Sequence, residues 1–234
     1  MIKFTPLASG SSGNAYHVTD GHTELLLEAG IRYKEIQKYL NFQTRRLFAC
    51  LITHEHTDHT QSIKDVLRAG VDVYLSEGTK SALGLKHHRL KILKAKKQFQ
   101  LGTFRILPFD VEHDAMEPIG FLIESLKTGE RLLFATDTYY VRYKFRDLTH
   151  IAVECNYALD ILNENIASGI VPEVMKRRLL QSHFSLENVK EFLKANDLSK
   201  LKEIHLLHLS DNNSDELRFK HEIQELTGKP VYIA

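Results

Sequence analysis

The sequence lacks the features of secreted, membrane-spanning or disulfide-linked proteins. Only two cysteines occur in 234 residues, Cys50 and Cys155. Both lie in apolar stretches, where a buried thiol is the usual interpretation and a disulfide or catalytic role is disfavoured. No uncharged run approaches the roughly 18 residues that a membrane helix requires, and the first residues lack the apolar core of a signal segment. We therefore expect a cytoplasmic protein without membrane contact.

The chain also lacks an excess of positive or negative charge. The chain has 31 Lys and Arg against 30 Asp and Glu, a formal net charge of +1. No field of the whole molecule attracts nucleic acid, so any such contact must be local. The basic residues that cluster locally are Lys86, Arg89, Lys91, Lys94, Lys96 and Lys97, with Lys176, Arg177 and Arg178 as a second group. Such groups are either solvated faces or phosphate contacts whose affinity falls with salt.

No repeat, low-complexity tract or linker interrupts the chain, so residues 1–234 are predicted to form a single domain. Alternating and apolar patterns predict strands at 3–8, 15–19, 24–28, 48–52, 71–75, 91–93, 104–109, 119–124, 131–135, 151–154, 204–207 and 231–233. Helical patterns cover 32–40, 61–69, much of 158–195, and 215–226. This order predicts a layered α/β domain.

The most informative segment follows the strand predicted at 48–52. It reads His54-Glu55-His56-Thr57-Asp58-His59. A strand that is buried on both faces would deliver these polar side chains to the edge of a sheet. Imidazole and carboxylate groups are good ligands for borderline divalent metals. A metal-binding loop is favoured over a chance histidine-rich loop.

Other polar residues follow predicted strands in the same way. His113 comes after the strand at 104–109, and Asp137 comes after the strand at 131–135. Such a residue is often only a loop residue or a helix cap, but the repetition at several strand ends favours metal ligation. His208 lies at the end of the strand at 204–207 and suits a ligand. His205 lies within that strand and is interpreted as a packed or partly exposed residue.

The segment 54–59 resembles the H-x-H-x-D-H motif of the metallo-β-lactamase superfamily. Shorter segments are similar, in the same order, to its YycJ/WalJ-like branch: 9–15, 113–115, 136–138, 176–179 and 208–210. One position departs from the superfamily pattern, because Glu28 stands where an Asp is usual. The resemblance implies an αββα sandwich, in which two mixed β-sheets pack face to face with helices outside and metals at the sheet edge.

The resemblance also implies a centre of two divalent metal ions. It assigns His54, His56 and His113 to one ion, and Asp58, His59 and His208 to the other. Asp137 would bridge both ions. Sites of this composition accept zinc, manganese or iron, and availability decides among them.

His183 precedes a predicted helix and resembles the histidine that related phosphodiesterases place beside the substrate without using it as a ligand. It is expected to act in catalysis with Asp58 and Asp137. The alternative is a loop histidine ahead of a Ser185 helix cap. The residues expected to bind substrate are Ser11, Ser12, Asn14, Asn156, Arg177 and Asn212. Tyr139 and Tyr140 are candidates for stacking on a base, although packing explains at least one of them equally well.

The function that these features predict is metal-dependent hydrolysis of a phosphodiester by a metal-bridging hydroxide. The YycJ/WalJ-like resemblance implies a DNA nuclease, in particular a 5′ exonuclease. The alternative is a cytoplasmic lactonase or thioesterase of the same superfamily, which would direct the same hydroxide at a carbonyl. A redox di-iron protein is disfavoured because that branch has a carboxylate at the position of His56, and a non-catalytic domain is disfavoured because all seven candidate ligands are present.

Overall fold

A computed structural model describes residues 1–234 and contains strands and helices that alternate along the chain. The strands are β1 Lys3–Ala8, β2 Ala15–Thr19, β3 Glu24–Leu27, β4 Leu47–Leu51, β5 Asp72–Ser76, β6 Leu90–Leu93, β7 Phe99–Leu101, β8 Phe104–Asp110, β9 Ile119–Ser125, β10 Arg131–Ala135, β11 His150–Glu154, β12 Glu203–Leu207 and β13 Val231–Ile233. The α-helices are α1 Tyr33–Tyr39, α2 Thr57–Thr60, α3 Ile63–Arg68, α4 Glu77–Leu83, α5 Leu159–Ala167, α6 Glu173–Ser182, α7 Leu186–Ala195 and α8 Glu216–Thr227.

The chain forms two compact units. The first contains residues 1–110 and 115–131, and the second contains residues 111–114 and 132–234. The prediction of a single domain over residues 1–234 stays a prediction. None of the helices is long and apolar enough to cross a membrane.

The first unit contains a six-stranded sheet of order β1-β2-β3-β4-β5-β6. Strands β1, β2 and β3 pair antiparallel, whereas β3, β4, β5 and β6 pair parallel. Strands β7, β8 and β9 of this unit form a separate antiparallel ladder. The parallel part explains the placement of the metal-ligand segment, because the chain leaves the carboxyl end of β4 one residue after Leu51 and reaches His54 two residues later.

An apolar core fixes β4 in the first unit. Cys50 and Ile52 are buried with Leu26 of β3 and Val73 of β5, and α1 and α3 cover this cluster. The prediction that both faces of β4 are buried is wrong at one position, because Phe48 is 54% exposed. The buried remainder of the strand still holds the start of the loop at 53–59 in place.

In the second unit, strands β10, β11, β12 and β13 pair parallel in that order. Every residue of β11 is buried, as expected for a parallel strand between two covered faces. The carboxyl ends of parallel strands meet at one edge of a sheet. Asp137, Glu154 and His208 lie at the ends of β10, β11 and β12, so the topology alone brings these three side chains together.

The predicted secondary structure differs from the observed one in three places. The helix predicted at 61–69 is α3, which spans Ile63–Arg68, and the preceding helix α2 at Thr57–Thr60 was not predicted. Helix α4 and strand β7 were not predicted, because α4 is a short helix that contains Gly78 and β7 has only three residues. The strands that carry the candidate ligands lie where the sequence predicted them.

Candidate metal centre

In the first unit, His54 and His56 present converging ring nitrogens. The distance from His54 Nε2 to His56 Nδ1 is 3.1 Å. The other nitrogen of His54, Nδ1, lies 2.9 Å from Thr53 Oγ1, which fixes the orientation of the ring. A histidine that uses one ring nitrogen for a protein hydrogen bond and directs the other toward a second ligand has the arrangement of a metal ligand.

Asp58 and His59 lie on the single turn of α2, directly after the extended segment of His54 and His56. His59 Nε2 is 3.3 Å from Asp58 Oδ2, and the His54 and His59 rings lie 4.1 Å apart between centroids. The side chain of Asn14 joins the pair, because its Nδ2 lies 3.2 Å from both Asp58 Oδ2 and His59 Nε2. All five residues of this cluster therefore belong to one contiguous network of the first unit.

The backbone of this loop requires glycine at two neighbouring positions. A Cβ atom at Gly30 would lie 1.6 Å from the carbonyl oxygen of Asp58, and one at Gly13 would lie 2.4 Å from the carbonyl oxygen of Gly30. Because both positions are glycine, the backbone segments can approach closely. The backbone N–H of Asn14 donates to the Asp58 carbonyl at 2.7 Å, and the backbone N–H of Gly30 donates to the Asn14 carbonyl at 2.8 Å. The Ser9-to-Asn14 segment thus braces the metal-ligand loop.

Glu28 lies behind His59. It is fully buried, and its carboxylate accepts the Thr53 amide at 3.3 Å and lies 3.6 Å from His59 Nδ1. Burial raises the pKa of Glu28, and contact with His59 and Thr53 opposes that rise. Its φ of 62° is left-handed, which is rare for a residue with a side chain. The Glu28 carboxylate lies within ion-pair distance of His59, one of the predicted ligands.

In the second unit, four ligand groups form a buried cluster at the ends of the parallel strands. Ligand atoms of Asp137, Glu154, His183 and His208 all lie within 4.8 Å of one another. His208 Nδ1 is 2.7 Å from Asp137 Oδ1 and 3.4 Å from Glu154 Oε1. Burial lowers the pKa of His208, but the charge and hydrogen bond of Asp137 outweigh it and raise the pKa. Carboxylate and imidazole groups are donors that divalent cations accept, and Asp137 and His208 are the two predicted ligands in this cluster.

The backbone at this cluster is strained at two of the candidate ligands. Asp137 has a φ of 45° and His208 a φ of 51°, both in the left-handed region. Such conformations cost free energy in residues other than glycine and concentrate at functional sites. The strain is retained because Thr136 Oγ1 donates to Asp137 Oδ1 at 2.7 Å and Asn156 Nδ2 donates to the His208 carbonyl at 2.8 Å.

His183 is joined to the cluster through Glu154. Its Nδ1 lies 2.6 Å from Glu154 Oε1, while Glu154 Oε2 accepts the backbone amides of Thr138 and Phe184 at 3.0 and 3.1 Å. Burial disfavours the charged ring, but the charge and hydrogen bond of Glu154 and the charge of Asp137 raise the pKa of His183 to about 9. This raised pKa favours the protonated form of His183 at neutral pH.

His113 lies next to Asp137 within the second unit. Its Nε2 is 3.9 Å from Asp137 Oδ2, and its Nδ1 lies 2.8 Å from the carbonyl oxygen of Ser182, which accepts a hydrogen bond when Nδ1 is protonated. Burial lowers the pKa of His113, and the charge of Asp137 opposes that change. A neutral ring that donates from Nδ1 presents the lone pair of Nε2, as a metal ligand must.

The residues expected to bind substrate lie in different surroundings. Ser11 and Ser12 are exposed, and Ser12 borders a groove with Arg32 and Gln61. Arg177 is exposed on α6 and borders a groove with His113. The side-chain Nδ2 of Asn14 lies within hydrogen-bond distance of Asp58 and His59, and the side-chain Nδ2 of Asn156 donates to the His208 carbonyl. Asn212 is exposed, and its carbonyl accepts a hydrogen bond from Asn165 at 2.7 Å. Their contact with substrate stays a prediction.

Glu154 is the site residue that the sequence interpretation missed. It is completely buried, yet it contacts both His183 and His208. The available signal was the same one that identified Asp137, namely a polar side chain at the end of an apolar strand. The pattern places Glu154 inside the strand predicted at 151–154, as its last residue, whereas Asp137 stands beyond the end of its predicted strand.

Known proteins resemble the chain in sequence and in fold. The model of the β-lactamase superfamily domain matches residues 26–161. The exodeoxyribonuclease WalJ of Streptococcus pneumoniae is 31% identical over 96% of this chain and 88% of its own length, and the exodeoxyribonuclease YycJ of Bacillus anthracis is 29% identical over 92% and 86%.

Among solved structures, the metallo-β-lactamase fold protein YhfI from Bacillus subtilis superposes with a TM-score of 0.76 at 16% identity, covering 100% of this chain and 95% of its own. This likeness confirms the predicted αββα fold, and the sequence matches confirm the resemblance to the YycJ/WalJ-like branch. The chain belongs to the β-lactamase superfamily.

Proposed function

We propose that the chain is a metal-dependent phosphodiesterase that degrades DNA from 5′ ends. The single observation that carries the phosphodiesterase chemistry is the 2.6 Å contact of His183 with the buried Glu154, beside the metal-ligand candidates Asp137 and His208. This contact supports the proposal because it favours the protonated imidazole, the form that can donate a proton to a leaving group.

The ligand set of this proposal contains seven side chains. His54, His56 and His113 would hold one divalent cation, Asp58, His59 and His208 would hold a second, and Asp137 would serve both. The local geometry within each unit supports these roles, because the ligand nitrogens and oxygens are oriented by neighbours such as Thr53, Glu28 and Ser182. Bound there, two cations supply a nucleophile from water at neutral pH and offset the negative charge that develops on the phosphoryl group.

The protein's own side chains complete the reaction. Protonated His183 donates a proton to the leaving oxygen of the phosphodiester as the bond to phosphorus breaks. Glu154 positions His183 and stabilises its charged form through the same hydrogen bond. The exposed guanidinium of Arg177 and the hydroxyl groups of Ser11 and Ser12 contact phosphoryl oxygens of the substrate strand.

The choice of DNA as substrate has separate support. The relatives WalJ and YycJ, which match this chain over more than nine-tenths of its length, are named exodeoxyribonucleases. The second unit also carries basic residues on α6, close in sequence to His183. These basic side chains attract a polyanionic DNA strand, and this attraction weakens as salt concentration rises.

A direct comparison of substrates tests the proposal. Purified protein loaded with Mn²⁺ or Zn²⁺ is incubated with 5′-labelled and 3′-labelled DNA, single-stranded and double-stranded, beside a simple phosphodiester and a lactone. Release of labelled nucleotides from the 5′ end at a higher rate than lactone opening is expected, with no release in excess chelator. Lactone hydrolysis without DNA degradation would instead assign the carbonyl-directed reaction.

A further inference from the structure

The second unit contains an aromatic cavity close to His183 that has no part in the roles assigned above. Its volume is about 270 Å³. The lining residues on which the argument depends are Tyr140, Arg142, Lys144, Phe184, Glu191 and Phe192. This volume lies just below the range of roughly 300–1,000 Å³ found for pockets that hold small molecules, so the cavity suits one small planar group.

The cavity lies between α7 and a loop that hydrogen bonds from α7 and its C-terminal cap anchor at two points. Residues 136–149 form no helix or strand. At one end, Asn188 Nδ2 of α7 donates to the Tyr139 carbonyl at 3.3 Å. At the other end, the Phe145 amide donates to Asn196 Oδ1 at 2.7 Å, and Asn196 is itself tied to Phe192. The intervening segment, with Tyr140 and Lys144, therefore stands over α7 in a defined conformation.

Aromatic rings dominate the walls. Phe184 and Phe192 are buried and lie 6.2 Å apart between ring centroids, while Tyr140 is 53% exposed at the rim. An exposed aromatic ring beside a cavity floored by buried rings provides a surface on which a flat group can stack. Every nucleobase has such a flat face, and aromatic stacking is the common means of binding single-stranded nucleic acid.

The charges at the rim favour an anionic ligand. Lys144 is exposed and makes neither a hydrogen bond nor an ion pair. Arg142 is paired with Glu112, and the one acidic lining residue, Glu191, is paired with Lys194 at 2.8 Å. An unpaired ammonium group beside aromatic rings matches a nucleotide, which joins a planar base to a phosphate.

Two residues that line the cavity lie close in sequence to residues of the candidate metal centre. Phe184 follows His183 directly, and its amide donates to Glu154 Oε2 at 3.1 Å. Tyr140 comes three residues after Asp137, and its amide donates to Thr138 Oγ1 at 3.2 Å. A ligand in this cavity therefore lies against the same backbone that positions the proton donor.

We propose that this cavity binds one unpaired base of the DNA strand next to the phosphodiester that is cleaved, with the base stacked on Tyr140 and its phosphate near Lys144. The assignment rests on the proposed function for its substrate and adds a site that holds the strand by stacking. Such a site favours frayed or single-stranded ends over a fully paired end, because a base must leave its stack to enter the cavity.

Binding and cleavage are measured separately so that the two proposals can fail independently. The probe is a short oligonucleotide with 2-aminopurine at its first, second or third position from the 5′ end and with phosphorothioate linkages that resist cleavage. Metal-loaded protein should quench the fluorescence at one of these positions. An oligonucleotide that is abasic at that position should bind about ten-fold more weakly.

Three variants locate the effect. Tyr140→Ala should raise the dissociation constant about ten-fold and abolish the quenching, whereas Tyr140→Phe should retain both because the ring remains. Tyr232→Ala removes a tyrosine of similar exposure on β13 and should change neither quantity. Rates on a simple phosphodiester without a base show whether the variants retain the hydrolytic centre, and thermal unfolding shows that they are folded.

The outcomes separate the claims. Equal quenching by the wild type and Tyr140→Ala, or equal affinity for the abasic oligonucleotide, overturns the base-binding site even if DNA is degraded. Position-specific quenching that Tyr140→Ala abolishes supports the site even if DNA is not cleaved, in which case the proposed function fails alone. Self-association that Tyr140→Ala abolishes would assign the cavity to a second copy of the chain and overturn the base-binding site.

Discussion

The two units supply similar side chains by different routes. In the first unit, His54, His56, Asp58 and His59 come from six consecutive residues, and the loop that carries them is braced by backbone hydrogen bonds from Asn14 and Gly30. In the second unit, the ligands come from the ends of separate parallel strands, and Asp137 and His208 meet across 71 positions of sequence. The first arrangement is local, and the second depends on the packing of a whole sheet.

The difference predicts how each region responds to substitution. Removing one side chain from the local loop leaves its neighbours held by the chain itself. Removing one from the second unit leaves a buried carboxylate or imidazole without its partner, which is costly in a site with little access to water. We expect the larger functional and structural effects from the second unit.

The largest effect is expected at Asp137, which is proposed to be shared by both cations. Asp137→Ala should reduce phosphodiester hydrolysis by more than about 10³-fold. The site would lose a negative charge that holds the cations, and the cations are proposed to stabilise the transition state by several kcal/mol. Steady-state rates with metal analysis give the result. Asp137→Asn is the matched variant, since asparagine tolerates the φ of 45° and keeps the shape of the side chain while removing its negative charge. A folded, fully active Asp137→Asn would contradict the assignment.

The next prediction separates His183 from His208, although both contact Glu154. His183→Ala should keep the metal content and reduce turnover by roughly 10²–10⁴-fold, the range for general acid–base groups. His208→Ala should lower the metal content. Elemental analysis of both variants beside their rates decides between the roles. Metal loss in the first and full occupancy in the second would reverse the assignment.

A smaller effect is expected at Glu154, which acts through His183. Glu154→Gln should reduce turnover about 10- to 100-fold, as is typical for residues that orient a functional histidine. The pH profile supplies a more specific readout. Burial lowers the pKa of His183, but the charge and hydrogen bond of Glu154 outweigh burial and raise the pKa to about 9. The proton donor is therefore present below pH 9 and is lost as pH rises through that value.

Removing the negative charge of Glu154 lowers the pKa of His183, so the alkaline limb of the rate profile should move to lower pH in Glu154→Gln. Glu203→Gln is a suitable control, because Glu203 contacts His150 and His205 and not His183. An alkaline limb at the wild-type position in Glu154→Gln would show that Glu154 does not tune the proton donor.

The smallest effects are expected at the two cysteines, one in each unit. Cys50 lies in β4 ahead of the metal-ligand loop, and Cys155 follows Glu154 directly. Burial raises the pKa of each thiol well above its usual value, so neither is a reactive thiolate. Cys50→Ser and Cys155→Ser should keep turnover near the wild-type level with a loss of stability of about 1–3 kcal/mol. A folded but inactive serine variant would assign a catalytic role to that cysteine.

The same contrast explains which features the sequence revealed. The segment 54–59 carries its ligands at fixed local spacing, and β4 before it is recognisable from its apolar residues, so both were predictable. His113, Asp137 and His208 were found because each stands just beyond an apolar strand. Their mutual distances were not predictable, since these depend on the register of parallel strands far apart in sequence.

The role of Glu154 and the cavity beside Phe184 could not be predicted from the periodicity of the sequence. Glu154 occupies a strand position that the pattern assigns to the core, and only the folded structure shows three hydrogen-bond donors at its carboxylate. Helix α4 was missed because seven residues with a glycine give too weak a periodic signal. Helix α2 was missed because a single turn of four residues gives no periodic signal.

The metal content of the wild-type protein tests the central claim most directly. Elemental analysis of metal-replete protein, after removal of loosely bound ions, should give two divalent cations per chain, because seven candidate ligands exceed what one tetrahedral ion can use. Anomalous scattering should place one ion at His54 and His56 and the other at Asp58 and His59. One ion per chain under metal-replete conditions, with Asp58 and His59 uncoordinated, would contradict the two-metal account.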